Sequence, residues 1–446
     1  MKYYIILIAI MLCSCKKFLD EKPNQRLAVP STLKDYQAML DVSFRMNTSD
    51  PFLGEASADN YFLKTGDWQG MPAWDRNIYI WEKEIDSRHP NDWSTTYDMV
   101  YYANLALEGV QEIERTALNE AQWNNVKGSA LLYRARAFLA AAWIWSKSFD
   151  STTAGVEWGV PLRKTSNFLQ PSVRATVAQT YEQVIADLEE SIPLLPAALV
   201  HPMRPSKPAA WALLARTFLS ARNYSKALVC ADSALRWAPN LLDYNTLNPS
   251  LNFPFQRFNP EVIMHTTALT LHANTDPAYH RIDTVLYNSY TANDLRRSLF
   301  FFRNSDGYYA FKGSYDNSAV PFTGTTVAEM YLIRAECYAR QGNITAALTD
   351  LNTLSMKRYK TGTFIPLTAT SYSDALDKVL AERRKELIFR DLRWMDIKRL
   401  NREGRSIVLA RLIKSQGHTL PPNNNRYALP IPEDIIAFTG MPQNPR

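Results

Sequence analysis

The sequence predicts a mostly α-helical fold, a tetratricopeptide-like helical-repeat scaffold interrupted by large irregular insertions with short strands. Three observations predict it. Two stretches carry the small-residue spacing of paired antiparallel helices, and a third carries the same spacing in two separated halves. Between these units the helical period disappears over long segments rich in Pro, Asn and aromatic residues.

The first element in chain order is a leader. In "MKYYIILIAIMLCSC" a run of ten apolar residues, Tyr3 to Leu12, follows Lys2, whereas a membrane-spanning helix takes ~20. A basic start, a short apolar core and small residues describe a secretory signal. Leu12, three residues before Cys15, together with Ser14 resembles a bacterial lipobox, in which the signal is cut before the cysteine and lipid is attached there. Residues 1–14 thus read as signal peptide, and 15–446 as one mature domain tethered through Cys15. An ordinary signal peptide with incidental cysteines is the plainer alternative. Several acyl chains would hold the protein at a membrane stably where one binds reversibly.

An irregular segment is expected around 50–90, then a helix in "NDWSTTYDMVYYANLALEGVQEIE", capped near Asn91 or Asp92 and apolar at Met99, Ala103, Ala106 and Val110. The helix-pair units fall around 91–147, 176–196, 208–239 and 327–356. The clearest is "WALLARTFLSARNYSKALVCADSALRWAP", in which Trp211, Leu214, Ala215, Phe218, Tyr224, Ala227, Ala231, Ala234 and Pro239 keep the repeat spacing. "YLIRAECYARQGNITAALTDLNTL" repeats it at Tyr331, Ala335, Tyr338, Gly342, Ala347, Leu351 and Leu354. The split copy joins Ala135 and Phe138 to Tyr181, Val184, Leu188, Ser191 and Pro196, with an insertion around 148–172. Around 240–325 the pattern reads as loop with short strands, too long for a plain connector. A helix is expected over 373–400, its charges read as a salt-bridged face through Glu386 with Arg390 and Asp396 with Arg399.

Composition narrows the function classes. Cutting the leader lowers the formal net charge only from +6 to +5, since Lys2 is its one charged residue, and no long Lys/Arg run argues for nucleic acid. Cys230 and Cys337 lie inside helical patterns and read as small buried apolar residues. The six histidines show no metal-ligand spacing, and no nucleophile elbow, phosphate loop or dinucleotide fingerprint occurs. No cofactor, metal site or catalytic residue is assigned, and the protein reads as a non-enzyme. The residues alone describe an anchored helical-repeat protein with large insertions, a class used for interactions.

The chain resembles the SusD/RagB nutrient-binding lipoproteins of Bacteroidota. The resemblance runs nearly end to end through "CKKFLDEKP", "VPSTLKDYQAMLD", "TVAQTYEQVIADLEESIPLLP", "AEMYLIRAECYARQGNITAALTDLN", "AERRKELIFRDLRWMDIKRL", "LPIPEDI" and "QNPR". Arg390 and Asp391 depart from it, standing where the family often has an acidic residue and glycine, and the chain stops at Arg446 instead of a Gly-Tyr ending. The resemblance implies a SusD-like scaffold on the outer face of the outer membrane, lipid-anchored and facing the cell exterior. It also implies a SusC-like TonB-dependent outer-membrane transporter as partner and an oligosaccharide, or in some members a peptide, as ligand. A carbohydrate-active enzyme and a scaffold that binds only protein partners are the other classes.

The ligand site is expected in two insertions. Residues 59–102 hold ten aromatics in 44 positions, about twice the 12% of the whole chain. Trp81, Trp93, Tyr97 and Tyr101 read as core. Trp68 and Trp74 lie in a Gly- and Pro-containing stretch beside Asp67, Gln69, Asp75 and Arg76, where a flat ring can stack on a sugar while polar neighbours bond its hydroxyls. The expected ligand-binding residues are therefore Trp68, Trp74, Asp67 and Arg76, joined by Tyr290, Tyr308 and Tyr309 from the later insertion. The competing reading is that these aromatics only fold their own loops.

Overall fold

The computed structural model describes residues 30–82, 91–268 and 272–446. The leader and Cys15 lie outside the described residues. No helix among the described residues is long and apolar enough to cross a membrane.

The scaffold is a row of helices, each packed on the next: α1 (Asp92–Gln111), α2 (Glu120–Trp145), α3 (Val177–Leu194), α4 (Lys207–Ser220), α5 (Tyr224–Trp237), α6 (Val327–Arg340), α7 (Ile344–Met356) and α8 (Tyr372–Glu386). Local chemistry starts them. Asn91 and Ser94 close a reciprocal capping box at α1, Thr176 and Gln179 do the same at α3, and Ser206 caps α4 with Pro208 just inside its start. Helix α2 is buried almost all round from Val126 to Trp145, so it shows no polar face over that stretch. It packs on both α1 and α3, across the 146–176 insertion.

The two clear repeats turn in the same way. Between α4 and α5 the chain passes through Arg222 (φ 62°) into the cap residue Asn223, and between α6 and α7 through Gly342 (φ 79°) into Asn343. The turn needs one left-handed residue, which the second copy supplies with glycine and the first with arginine. Ala215, Ala227 and Ala335 are all fully buried where the paired helices meet. Cys230 and Cys337 are buried free thiols, and burial pushes the Cys230 thiol up to about 12.

The helix expected over 373–400 is two helices, α8 and α9 (Arg393–Asn401), broken where Phe389 (φ 56°) and Asp391 (φ 57°) turn left-handed. The expected pair of Glu386 with Arg390 does not form. Glu386 binds Arg296 and Arg358, and Arg390 lies over the rings of Tyr315 and Phe322. Asp396 does pair with Arg399, at 2.8 Å, inside the protein. These charges are a buried seam, not a solvated face.

The break explains one departure from the family pattern. Asp391 occupies a backbone conformation that suits glycine or asparagine, and its Oδ1 accepts the Glu55 backbone N–H at 2.9 Å. Burial, with the neighbouring carboxylate of Glu55, raises the Asp391 carboxyl well above its ordinary range, and burial raises Glu55 to about 7. A carboxyl raised on folding costs nothing while protonated in both states, and its cost grows as pH rises above the unfolded value. Asp391→Asn keeps the acceptor and the turn. It should match the wild type near pH 4 and become more stable by ~1–3 kcal/mol at pH 8. Urea unfolding at both pH values tests this, and no gain at pH 8 would refute it.

Among the described residues the strands form five two-stranded antiparallel sheets, one of them the hairpin of 409–413 with 416–420 and the others built with strands of the insertions. The 240–325 insertion gathers with segment 50–80 into a second, aromatic core beside the helical one, while the 148–172 insertion packs on the helical core.

Candidate functional site

Short strands and loops offer no helical ridges to interlock, so large flat side chains fill the second core. Tyr61, Tyr79, Phe255, Phe300, Phe311 and Phe389 dominate it, with Phe311 stacked on Phe389 at 5.0 Å between centroids. Two small sheets lie on it. Strand β1 (Tyr61–Phe62) pairs with β2 (Arg281–Ile282), and β3 (Phe301–Arg303) pairs with β4 (Tyr309–Phe311).

The β3–β4 turn is Asn304-Ser305-Asp306-Gly307, with Gly307 at φ 89°. Asp306 is gripped by Lys64 at 2.5 Å and Arg281 at 2.7 Å, and those two bonds hold its carboxyl well below the usual range. The ring of Tyr308 meets Phe62 edge-on at 5.2 Å. Lys64 is also the residue from which the helix Thr65–Gly70 starts, and its carbonyl accepts the Trp68 backbone N–H. One lysine thus ties the segment carrying Trp68 to the hairpin carrying Tyr308.

The predicted residues divide in how they are placed. The stretch expected as a loop forms two short helices, Thr65–Gly70 and Ala73–Tyr79, separated by Pro72. Trp68 is half-buried and its indole N–H donates to the Arg76 carbonyl at 3.2 Å. The Arg76 guanidinium lies 5.8 Å from the Trp68 ring and donates to the carbonyls of Met71 and Gln69. Trp68 and Arg76 therefore lock the two helices together while presenting their free edges. Asp67 and Trp74 are half-buried, and Asp67 Oδ2 has no hydrogen-bond partner among the described residues. Tyr309 lies flat on Tyr287 at 3.8 Å, and Tyr308 is 40% exposed.

Tyr290 requires a correction. It is fully buried, its hydroxyl donates to the Lys385 carbonyl at 2.8 Å, and it belongs to the core.

Sequence reasoning missed Phe62, Lys64, Asp306, Tyr279 and Phe302, the last two being exposed aromatics of the same lobe. An available signal was the Asp-Gly turn between "FFR" and "YYAF", which marks a hairpin. Two histidines hold the lobe in place. His272 sits between Asp75 (3.4 Å) and Asp92 (3.3 Å), and Asp92 also accepts the backbone N–H groups of Phe52 and Leu53. Burial alone would lower the His272 pKa, but the two carboxylates outweigh it and raise it to about 10. His280 is the opposite case. Burial pushes it down to about 4, and as a neutral ring its Nε2 accepts the Phe311 N–H at 3.0 Å. Among the described residues no group of three or more His, Cys, Asp or Glu could hold a metal ion.

Comparison with known proteins places this geometry in context. Residues 17–219 match a family described as starch-binding and associating with the outer membrane, SusD-like, and residues 278–445 match the SusD family itself. Among solved structures, a SusD superfamily protein from Bacteroides thetaiotaomicron is similar at 20% identity, with 93% of this chain and 100% of that chain covered and a TM-score of 0.74. A SusD-like carbohydrate binding protein from Bacteroides vulgatus matches at 20% identity over 92% of this chain and 97% of that chain, TM-score 0.67. A laminarin binding SusD-like protein matches at 17% over 92% and 97%, TM-score 0.65. No curated protein matches the chain.

Proposed function

Since the chain belongs to the SusD/RagB family, we propose that it is a cell-surface lipoprotein that binds an oligosaccharide and delivers it to a SusC-like TonB-dependent transporter of the outer membrane. The observation that supports the ligand side is the Lys64–Asp306 ion pair, which ties the segment carrying Trp68 to the hairpin carrying Tyr308 beside the aromatic core. A sugar ring presents C–H faces to stacked aromatics and hydroxyls to polar groups. Asp67 and Gln69 flank Trp68 in the chain, Arg76 packs against its ring, and Asp306 stands two residues before Tyr308.

A titration of the full chain against a panel of glycans and peptides, with laminarin among the first, tests this. Trp68→Ala and Tyr308→Ala are each expected to weaken binding of the glycan found by ~1–3 kcal/mol, about 5- to 150-fold. Tyr308 is exposed, so its variant should melt like the wild type. Wild-type affinity in both variants would move the site elsewhere, and binding confined to peptides would replace the oligosaccharide.

The tether is tested separately. Cys15→Ala should be exported yet released from the outer membrane in cells lacking any transporter partner, because no other segment is assigned to hold it there. A variant that stays in the membrane fraction of such cells would refute the anchor.

A further inference from the structure

A cavity of about 250 Å³ opens between α1, the 161–172 segment and the C-terminal helix Glu433–Thr439. None of its lining residues belongs to the segments carrying Trp68 and Tyr308. Its walls are Trp93, Tyr97, Val100, Phe168, Phe438 and Met441. Phe168 and Phe438 are 78% and 89% exposed, so they contribute little to the fold and stand open at the rim.

The polar groups around it are almost all spent. The Tyr97 hydroxyl donates to the Pro161 carbonyl, the Asn104 amide to the carbonyls of Arg163 and Thr165, and the Arg163 guanidinium to the carbonyls of Asn167 and Gln170. What remains is the Trp93 indole N–H, which donates to no described residue although Trp93 is only 4% exposed, with the Tyr101 hydroxyl and the O–H of Ser172, whose oxygen accepts from Arg163. No carboxylate lines the cavity. A hexose would strand most of its hydroxyls against such walls, and a cation would find no counter-charge.

From this we infer that the cavity binds a planar aromatic ring carrying a hydrogen-bond acceptor at its edge, the class to which the aryl aglycone of a glycoside belongs. The ring fills the aromatic slot, and its acceptor receives a hydrogen bond from the Trp93 indole N–H. A volume just below the range of drug-sized pockets suits a single ring with one substituent.

The test uses the full chain with ¹⁵N-labelled tryptophan and three probes: 4-nitrophenol, 4-nitrophenyl β-D-glucopyranoside and methyl β-D-glucopyranoside. Both aryl probes should shift the Trp93 indole N–H resonance, which Trp93→Phe identifies, and methyl glucoside should not. The double variant Phe168→Ala/Phe438→Ala should fold normally and weaken aryl binding ~10-fold or more. Trp93→Phe should weaken it by a smaller factor, about 3- to 10-fold. Trp68→Ala should leave aryl binding unchanged, so this result stands apart from the fate of the glycan surface. The inference fails if methyl glucoside shifts the resonance as strongly as its aryl counterpart, or if the double variant binds aryl probes like the wild type. It also fails if no aryl probe binds up to ~10 mM, a free energy of about −3 kcal/mol, in which case the exposed phenylalanines serve a protein contact.

Discussion

Arg296→Met is expected to destabilise the protein by about 3–5 kcal/mol, which urea unfolding at pH 7 will measure. Arg296 is fully buried and reaches Asp294 at 2.8 Å, Glu382 at 2.5 Å and Glu386 at 2.8 Å. Arg358 bridges Glu386 at 2.8 Å and Glu261 at 2.9 Å, and Lys385 binds Asp294 at 2.9 Å. Three cations thus face four carboxylates, with little water to screen them. Methionine fills much of the arginine's volume, so the loss would come from the stranded carboxylates and not from a cavity. The position of the network sharpens the expectation. Glu382, Lys385 and Glu386 belong to α8 of the scaffold, whereas Glu261, Asp294 and Arg296 belong to the insertion, so this charge cluster joins the aromatic lobe to the helices. Arg296→Met should therefore also loosen the lobe, visible as a larger fractional loss of near-ultraviolet than of far-ultraviolet dichroism. A stability within ~1 kcal/mol of wild type would show that the network is not what holds the seam.

The helical scaffold was legible because its signal is local. Ala215 and Ala227 lie twelve residues apart in sequence, and the turn between them repeats at Gly342, so spacing alone located the pair. The charges on "AERRKELIFRDLRWMDIKRL" were legible as ion pairs but not as buried ones. Their partners Arg296, Arg358 and Glu336 come from other parts of the chain, and an i,i+4 rule sees only its own helix. It also assumes an unbroken helix, which the left-handed residues at 389 and 391 prevent.

The site was legible in part for a similar reason. Trp68 and Tyr308 were expected in two different insertions, and nothing local tied them together. The tie is Lys64 with Asp306, an ordinary charged pair until the hairpin turn is recognised. Tyr290 misled because aromatic content in an irregular segment does not distinguish a ring facing solvent from one filling a core that lacks helices. Trp68 and Arg76 stand between these cases, since they brace one another and still reach the surface.

His272→Gln is expected to cost ~2–4 kcal/mol at pH 7, and most of that cost should vanish near pH 11. The histidine is buried with Asp75 and Asp92, 3.4 and 3.3 Å from its two ring nitrogens, and the sequence gives no warning of this, since Asp92 lies 180 residues away. Its folded-state pKa of about 10 stands above the ordinary value of 6.5. A group raised in this way contributes stability that is fully present below about 6.5, because there the proton is bound in both states and the charged pairs exist only in the folded one. As pH rises from 6.5 the unfolded chain releases its proton first, and the contribution drains away until it is gone above 10. Glutamine keeps a donor but no charge, so it removes this term and leaves the packing. The difference between wild type and variant should thus be large at pH 7, smaller at pH 9 and near zero by pH 11, measured by denaturant unfolding at each pH. The clamp also sets the helix that carries Trp74, because Asp75 is its neighbour, and the start of α1 through Asp92. Ligand affinity should consequently fall in the variant even where it remains folded. A stability difference that stays constant from pH 7 to 11 would mean that His272 acts by shape alone, and the charge clamp would have to be given up.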